Sequence, residues 1–354
     1  PDERGDVPVL SRLVAGRADC VVTTVLAMGG PGDEDDRWRV PLLERLDVPV
    51  VQAVAGTTPR AAWEDSDLGL SPLDVAWSVA LPEFDGRIVS VPVSFKEVVD
   101  DGDDLGTPVV AYRTVPDRVD RVAGLATRLA RLRRTANADK RVALVLSAYP
   151  TKRARVGNAV GLDTPVSVLA LLAALRGAGY RVDRIPESGD ALMAELTETF
   201  AYERETLTAG QLARAVARVP AADYAAWFAE LPEALRRSVE ERWGPPPGDV
   251  YVDPIDRTIC LAGIDLGGVL VAVQPPRGFG EDPIAVYHSP ELPPTHHYLA
   301  FYRWLDRGWG ADAVVHVGKH GNLEWLPGKG VGLSAACAPD AALGDVPLVY
   351  PFVV

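Results

Sequence analysis

The chain has 354 residues, of which 47% are hydrophobic, and its formal net charge is −13. This length and composition predict two or three domains with sizeable cores, and the acidic balance excludes nucleic-acid binding through a phosphate-neutralising surface. No apolar run approaches the roughly 20 residues that span a bilayer, and the three cysteines form no CxxC pair. We therefore expect a cytoplasmic protein that binds neither nucleic acid nor membrane and has no disulfide framework.

The first segment, 1–136, alternates strand-like and helix-like stretches. A strand, helix, strand order predicts a parallel sheet, and we predict an α/β domain that is truncated at its start. The predicted elements are a strand at 18–28, a helix at 37–46, a strand at 48–54, a long loop at 55–72 and an amphipathic helix at 117–135.

A second βαβ unit is predicted over 137–187. It comprises a strand at 141–150, a helix at 166–180 and a short strand at 181–185. Its long basic loop at 147–164 follows the carboxyl end of a strand, which is where open α/β sheets bind their ligands.

The remaining sequence divides at the proline run GPPPGD. Residues 188–248 are rich in Ala, Glu and Arg, and they predict a helical insertion. Residues 249–354 return to strands, with one helix at about 294–308, and predict an α/β segment that carries the active site and is truncated at its end. The predicted fold class is α/β, with open, mostly parallel sheets in Rossmann-like or flavodoxin-like layers and a helical insertion.

The histidines are confined to a short stretch. All five lie between positions 288 and 320. Histidine is the commonest metal ligand and carries protons near neutral pH, so this clustering indicates a functional site rather than scattered surface residues. The five are His288, His296, His297, His316 and His320.

The run ADAVVHVGKHGNLEW at 311–325 predicts a buried strand that ends near His316. Gly318 and Gly321 make the next loop irregular and allow close approach of the backbone to a ligand. Because His320 and Glu324 follow on that loop, two imidazoles and a carboxylate are expected to converge at the strand end.

Two familiar motifs do not fit this run. A helical HExxH zinc site is excluded because glycines follow His316 and disfavour a helix. A phosphate-binding loop is excluded because Leu323 and Gly330 stand where that motif needs glycine and Ser or Thr. The sequence therefore predicts no nucleotide site in this chain.

Several segments, in the same order, resemble the large subunit of class I tetrapyrrole chelatases. The most specific resemblance covers 311–352, and Lys319 with Trp325-Leu326 is similar to the cobalt branch of that family (CobN type) rather than to its magnesium branch. The chain starts without methionine and stops inside an apolar run, so we expect an internal fragment. The supporting segments are 69–88, 149–180 and 274–305.

The resemblance implies ATP-dependent insertion of Co²⁺ into hydrogenobyrinic acid a,c-diamide in aerobic cobalamin biosynthesis, a nitrogen–metal ligase reaction. The large subunit would bind the macrocycle and the metal. ATP and Mg²⁺ would bind to partners, an AAA+ ATPase subunit and its companion subunit, and not to this chain.

The residues expected to perform this chemistry fall into three sets. Imidazole and carboxylate suit Co²⁺ as temporary ligands, and either group accepts a proton, whereas basic side chains bind the carboxylates of the macrocycle. The catalytic candidates are Glu324, His320 and His316. The metal-ligand candidates are His296, His316, His320 and Glu324. The substrate-binding candidates are Arg277, Lys319, Lys152, Arg153 and Arg155.

Three other functions remain compatible with the sequence. One is the magnesium chelatase H subunit, which inserts Mg²⁺ into protoporphyrin IX, although oxygen ligands suit Mg²⁺ better than imidazoles do. Another is a metal-dependent hydrolase that uses His316, His320 and Glu324. The last is a non-catalytic tetrapyrrole-binding or metal-binding module.

Overall fold

A computed structural model gives the fold of the chain. It describes residues 12–25, 46–100, 106–147, 158–159, 161–200, 202, 208–279, 286, 289–318 and 323–351. No helix among these residues is both long enough and apolar enough to cross a membrane. The predicted helix at 37–46 lies almost wholly outside the described residues.

The chain divides into two compact units. The first comprises Pro1–Arg134 and Lys329–Ala335, and the second comprises Thr135–Gly328 and Ala336–Val354. The predicted divisions at 187/188 and 248/249 fall inside the second unit, because strands from both sides of them share one sheet.

The first unit is built on a four-stranded sheet of order β1-β2-β3-β4, in which only the β3–β4 pair is antiparallel. A helix follows β4 and packs Val122 against Val51 and Val93 of the sheet. This helix confirms the amphipathic helix predicted at 117–135. The strands are β1 (Val21–Thr23), β2 (Val50–Gly56), β3 (Ile88–Asp100) and β4 (Val109–Thr114). The helices are α1 (Arg60–Glu64), α2 (Pro72–Val75), a π-helical turn (Ala76–Ala80), α3 (Leu81–Phe84) and α4 (Pro116–Arg134).

The stretch predicted as a loop at 55–72 contains α1. Its Trp63 is buried, packs against the Phe95 ring at 4.8 Å between ring centroids, and donates a hydrogen bond to the Gly332 carbonyl. The loop prediction was therefore wrong here, because long-range burial of one aromatic ring stabilises a helical turn that local glycine and proline signals disfavour.

The second unit is built on a five-stranded sheet of order β10-β11-β5-β12-β13, parallel except at the β10 edge. The strands are β5 (Val142–Leu146), β6 (Asn158–Ala159), β7 (Leu162–Asp163), β8 (Ala217–Val219), β9 (Ile259–Leu261), β10 (Ile264–Asp265), β11 (Val269–Val273), β12 (Ala313–Val317) and β13 (Leu348–Val349). The α-helices are α5 (Thr164–Gly177), α6 (Gly189–Phe200), α7 (Ala209–Leu212), α8 (Ala221–Ala229), α9 (Glu233–Trp243), α10 (His296–Arg303) and α11 (Ala338–Leu343). A π-helical turn (Trp304–Trp309) continues α10, and 3₁₀ turns lie at Asn137–Asp139 and Leu323–Trp325.

Helices cover both faces of this sheet. Side chains of α5 and α6 belong to one hydrophobic cluster, and those of α8, α9, α10 and α11 belong to the other. Strands buried on both faces are expected to be continuously apolar, as the sequences VALVL in β5 and VLVAV in β11 are. The predicted α/β class with mostly parallel sheets is confirmed.

Two details of the second unit differ from the sequence prediction. The strand predicted at 181–185 is reduced to a single bridge between Val182 and Gly267. The predicted helical insertion over 188–248 contains four helices but also β8, which pairs with β9.

Candidate functional site

A layer of polar side chains lies at the carboxyl ends of the three central strands of the second unit. In register, His316 of β12 lies beside Val145 of β5, and Ser147 and Gln274 directly follow β5 and β11. All three polar residues are buried and lie on the sheet face that α10 covers. Open α/β sheets bind ligands at this edge.

His316 is held in the layer by a tyrosine of α10. Its Nε2 atom lies 3.0 Å from the hydroxyl oxygen of Tyr302, and the side chain is 4% exposed. Burial lowers the pKa of His316 to about 4, because an imidazolium loses its hydration there. His316 is therefore a neutral imidazole at physiological pH, near the end of its strand as predicted.

Gln274 links the strand end to two tyrosines. Its Nε2 atom donates to the hydroxyl of Tyr302 at 2.7 Å and to that of Tyr298 at 3.3 Å. Burial is the main cause of the raised pKa of both tyrosines, and the charge of Glu324 raises them further. The carboxylate of Glu324 therefore lies within electrostatic reach of this network.

Glu324 is presented by a short 3₁₀ turn at Leu323–Trp325. Leu323 and Leu326 on either side are buried, whereas the Glu324 side chain is exposed. The turn is thus anchored by its leucines and offers its carboxylate outward. The arrangement allows Glu324 to accept protons or to contact a cation.

Arg277, a predicted substrate-binding residue, contacts backbone carbonyls of the fold. Its side chain is fully buried and donates hydrogen bonds to the carbonyl oxygens of Trp325, Ser289 and Leu292, the last two at 2.7 Å. These bonds direct the two terminal nitrogens of the guanidinium to backbone acceptors. Arg277 therefore clamps the turn that carries Glu324, and its binding of macrocycle carboxylates stays an untested prediction.

His296, a predicted metal ligand, is hydrogen bonded within the fold. It is buried at the start of α10, where Nδ1 lies 2.8 Å from the Tyr224 hydroxyl and Nε2 lies 2.8 Å from the Gly244 carbonyl oxygen. Both ring nitrogens are thus hydrogen bonded, and neither offers a lone pair to a metal in this arrangement.

The neighbouring His297 is equally enclosed. Its Nε2 lies 3.0 Å from the Cys260 carbonyl oxygen, and its ring contacts those of Tyr251 and Tyr202. Both histidines line a cavity of about 210 Å³, together with Trp243 and Gly248. Both histidines therefore take part in hydrogen bonds at the buried start of α10.

Several predicted residues lie outside the described part of the chain. They are Lys152, Arg153, Arg155, Lys319, His320 and His288. Within the described ranges, no group of three or more His, Cys, Asp or Glu residues is arranged to hold a metal ion. Convergence of His320 with His316 and Glu324 remains a prediction.

Sequence reasoning missed three polar members of this layer. Gln274 and Ser147 each follow an apolar strand directly, and such a polar residue at the end of a predicted parallel strand is a usable signal. Tyr302 lies four residues after Tyr298 on α10, a spacing that suits the core-facing side of a helix. This spacing does not reveal that the Tyr302 hydroxyl is hydrogen bonded to Gln274 and His316.

Gly318 follows β12 directly and packs closely against Ser147. Its φ is +140°, and a Cβ there would lie 1.9 Å from Ser147 Oγ. We expect Gly318→Ala to destabilise the full-length protein by about 2 kcal/mol or more through backbone strain and the clash. Thermal unfolding measures this, with Gly177→Ala, where no atom lies within 4 Å, as the control. Equal unfolding midpoints for the two variants would contradict the prediction.

The chain is an α/β protein. The polar side chains at the carboxyl ends of its parallel strands form a candidate ligand site. The family model for CobN/Magnesium Chelatase matches residues 4–354, and the chain belongs to this family.

Relatives from both branches of the family are similar to the chain. The aerobic cobaltochelatase subunit CobN of Pseudomonas aeruginosa is 50% identical over 88% of this chain and 24% of the relative. The magnesium-chelatase H subunit of Chlorobaculum parvum is 35% identical over 92% of this chain and 24% of the relative. The chain thus spans about a quarter of the length of these curated relatives.

A solved structure supports the same placement. The catalytic subunit of cobaltochelatase from Mycobacterium tuberculosis matches with a TM-score of 0.85 and 52% identity, over 98% of this chain and 29% of that one.

Proposed function

We propose that this chain is part of the large subunit of a cobaltochelatase and contributes a carboxylate to the insertion of Co²⁺ into hydrogenobyrinic acid a,c-diamide. The higher identity to the cobalt-enzyme relative than to the magnesium-enzyme relative supports the choice of metal. In this proposal the large subunit accepts the protons of the reaction, and its partner subunits use the ATP. An AAA+ ATPase subunit and its companion use the ATP, in the cytoplasm.

The observation that carries the proposal is the position of Glu324. It is exposed on a turn that buried leucines and the Arg277 clamp hold in place, within electrostatic reach of Tyr298 and Tyr302. Insertion of a divalent metal into a metal-free tetrapyrrole forms metal–nitrogen bonds and displaces hydrogen from ring nitrogen as protons. A fixed carboxylate can accept such a proton or stabilise the partly dehydrated Co²⁺ substrate.

The roles of the remaining predicted residues stay proposals. His320 is proposed to act with Glu324 in metal contact or proton transfer. The basic side chains Lys319, Lys152, Arg153 and Arg155 are proposed to bind carboxylates of the macrocycle. The proposal gives Arg277 and His296 no contact with the substrate. Arg277 donates to three backbone carbonyls, and both ring nitrogens of His296 are hydrogen bonded.

The test is Glu324→Gln in the full-length large subunit, assayed with its ATPase and companion subunits. We expect Co²⁺ insertion to fall about a hundredfold or more, since general-base catalysis typically contributes that much. Macrocycle affinity, measured by fluorescence quenching, is expected to change little because glutamine keeps the size and the hydrogen bonding of the side chain.

The control is Glu187→Gln, which changes an exposed glutamate elsewhere in the second unit. This variant is expected to retain its insertion rate. A normal rate in Glu324→Gln would refute the assignment of the site. Faster insertion of Mg²⁺ into protoporphyrin IX than of Co²⁺ into the corrin precursor would refute the cobalt assignment instead.

A further inference from the structure

The hydroxyl of Tyr302 lies between two nitrogen atoms. Gln274 Nε2 is 2.7 Å from the hydroxyl oxygen on one side, and His316 Nε2 is 3.0 Å from it on the other. All three side chains are buried. Because these contacts exclude bulk water, each proton in the chain of bonds has a defined position.

A hydroxyl carries a single proton, and this determines the direction of the bonds. The amide nitrogen of Gln274 donates to the Tyr302 oxygen, so the Tyr302 proton is directed to His316. Hydrogen bonds from Gln274 and Tyr298 oppose the rise that burial causes in the pKa of Tyr302, as expected when that oxygen is the acceptor. In a neutral imidazole, an Nε2 atom that accepts a proton leaves the ring hydrogen on Nδ1.

The other two described histidines have the opposite arrangement. Nε2 of His296 faces the carbonyl of Gly244, and Nε2 of His297 faces the carbonyl of Cys260. A carbonyl oxygen only accepts, so both rings carry their hydrogen on Nε2. His316 alone among the described histidines faces a hydroxyl that already accepts from an amide.

We propose that Gln274 and Tyr302 are positioning residues that fix His316 as the Nδ1–H tautomer, so that it presents a hydrogen-bond donor rather than a metal-binding lone pair at the carboxyl edge of the sheet. This inference rests on the proposed function for its catalytic consequence, and its structural part is independent of that function.

The proposed tautomer changes the part assigned to His316. Nε2 is occupied by Tyr302 and Nδ1 carries the hydrogen, so the ring does not ligate Co²⁺ in this state. In the part of the chain that the structure describes, Nδ1 has no hydrogen-bond partner. Its N–H group therefore suits an acceptor supplied by the substrate, such as a carboxylate or amide oxygen of the macrocycle periphery. His316 would orient the macrocycle while Glu324 handles protons or metal.

The direct test is a solid-state ¹⁵N NMR spectrum of the full-length large subunit labelled at histidine, near neutral pH. The signals of His316 are located by difference from His316→Gln. We expect a protonated Nδ1 and an unprotonated Nε2 in the unmodified protein, and a changed or mixed tautomer in Tyr302→Phe. A protonated Nε2 in the unmodified protein would overturn the proposal, because the Gln274 carbonyl oxygen would then face Tyr302.

The catalytic consequence is measured with the same variant. We expect Tyr302→Phe to lower the insertion rate by about tenfold or more, as loss of a group that orients a functional histidine typically does. The matched control is Tyr224→Phe, which removes an equally buried hydroxyl from the 2.8 Å bond to His296. It is expected to lower the unfolding midpoint to a similar extent and to retain the insertion rate per folded molecule.

Equal losses of activity per folded molecule in the two tyrosine variants would show a merely structural role and overturn the proposal. The NMR result also separates this proposal from the proposed function. The predicted tautomer in a subunit that inserts no Co²⁺ would refute the function alone, whereas a protonated Nε2 in an active subunit would refute the positioning role alone.

Discussion

Arg277→Lys is expected to destabilise the large subunit by about 3 kcal/mol or more, because a hydrogen bond to a charged group is worth about 1.5–3 kcal/mol. A lysine ammonium cannot reproduce the planar fork that reaches the carbonyls of Trp325, Ser289 and Leu292. It would leave buried carbonyls without their donor and a buried charge with fewer partners. Chemical denaturation of the full-length subunit measures the loss.

The same substitution should also reduce Co²⁺ insertion in the molecules that remain folded. The Arg277 bond to the Trp325 carbonyl fixes the turn next to Glu324, so its loss frees the proposed catalytic carboxylate to move. The matched control is Arg218→Lys, since Arg218 forms ion pairs with Asp253 and Asp256 at the surface. Exposed ion pairs contribute about 0–1 kcal/mol. Similar losses of stability in the two variants would contradict the clamp.

The central strands of the second unit's sheet could be predicted from the sequence because they are buried on both faces. The runs VALVL and AVVHV have no polar alternation, and that pattern is typical of parallel strands under two layers of helices. The position of His316 near a strand end followed from the same run. The order of the strands could not be predicted from the sequence. The neighbours of β5 are β11 and β12, which lie more than 100 residues away in the chain.

The hydrogen-bond partners of the candidate site residues could not be predicted from the sequence. Clustering along the chain does not show which histidine rings are hydrogen bonded to backbone carbonyls inside the core. His296 and His297 are adjacent to the predicted site in sequence, yet their ring nitrogens are bonded to Gly244 and Cys260. Likewise, the charge of Arg277 suggested a ligand carboxylate, whereas its acceptors are backbone carbonyls that no sequence pattern reveals.

The unfolding free energy of the large subunit is expected to fall as the pH is lowered from about 6.5 to about 4, because of His297 and His316. Burial lowers the pKa of both imidazoles from 6.5 to about 4. Between these values the unfolded chain binds more protons than the folded one, so stability rises with pH. The contribution is fully present above pH 6.5 and is lost as the pH falls toward 4. It amounts to about 3 kcal/mol for each ring.

His297→Gln isolates one of these two contributions. Glutamine can still donate a hydrogen bond to the Cys260 carbonyl that His297 Nε2 faces, but it does not titrate. Unfolding midpoints measured every half pH unit should therefore show a shallower decline between pH 6.5 and 4 in the variant.

Asp256→Asn provides the control, since hydrogen bonds from Thr258 lower the pKa of Asp256 to about 2. Its stabilising effect is present above the ordinary carboxylate pKa of 3.8 and disappears as the pH falls toward 2, outside the histidine range. Parallel curves for the unmodified subunit and His297→Gln between pH 6.5 and 4 would show that this ring is not held neutral by the fold, and the matching expectation for His316 would lose its support.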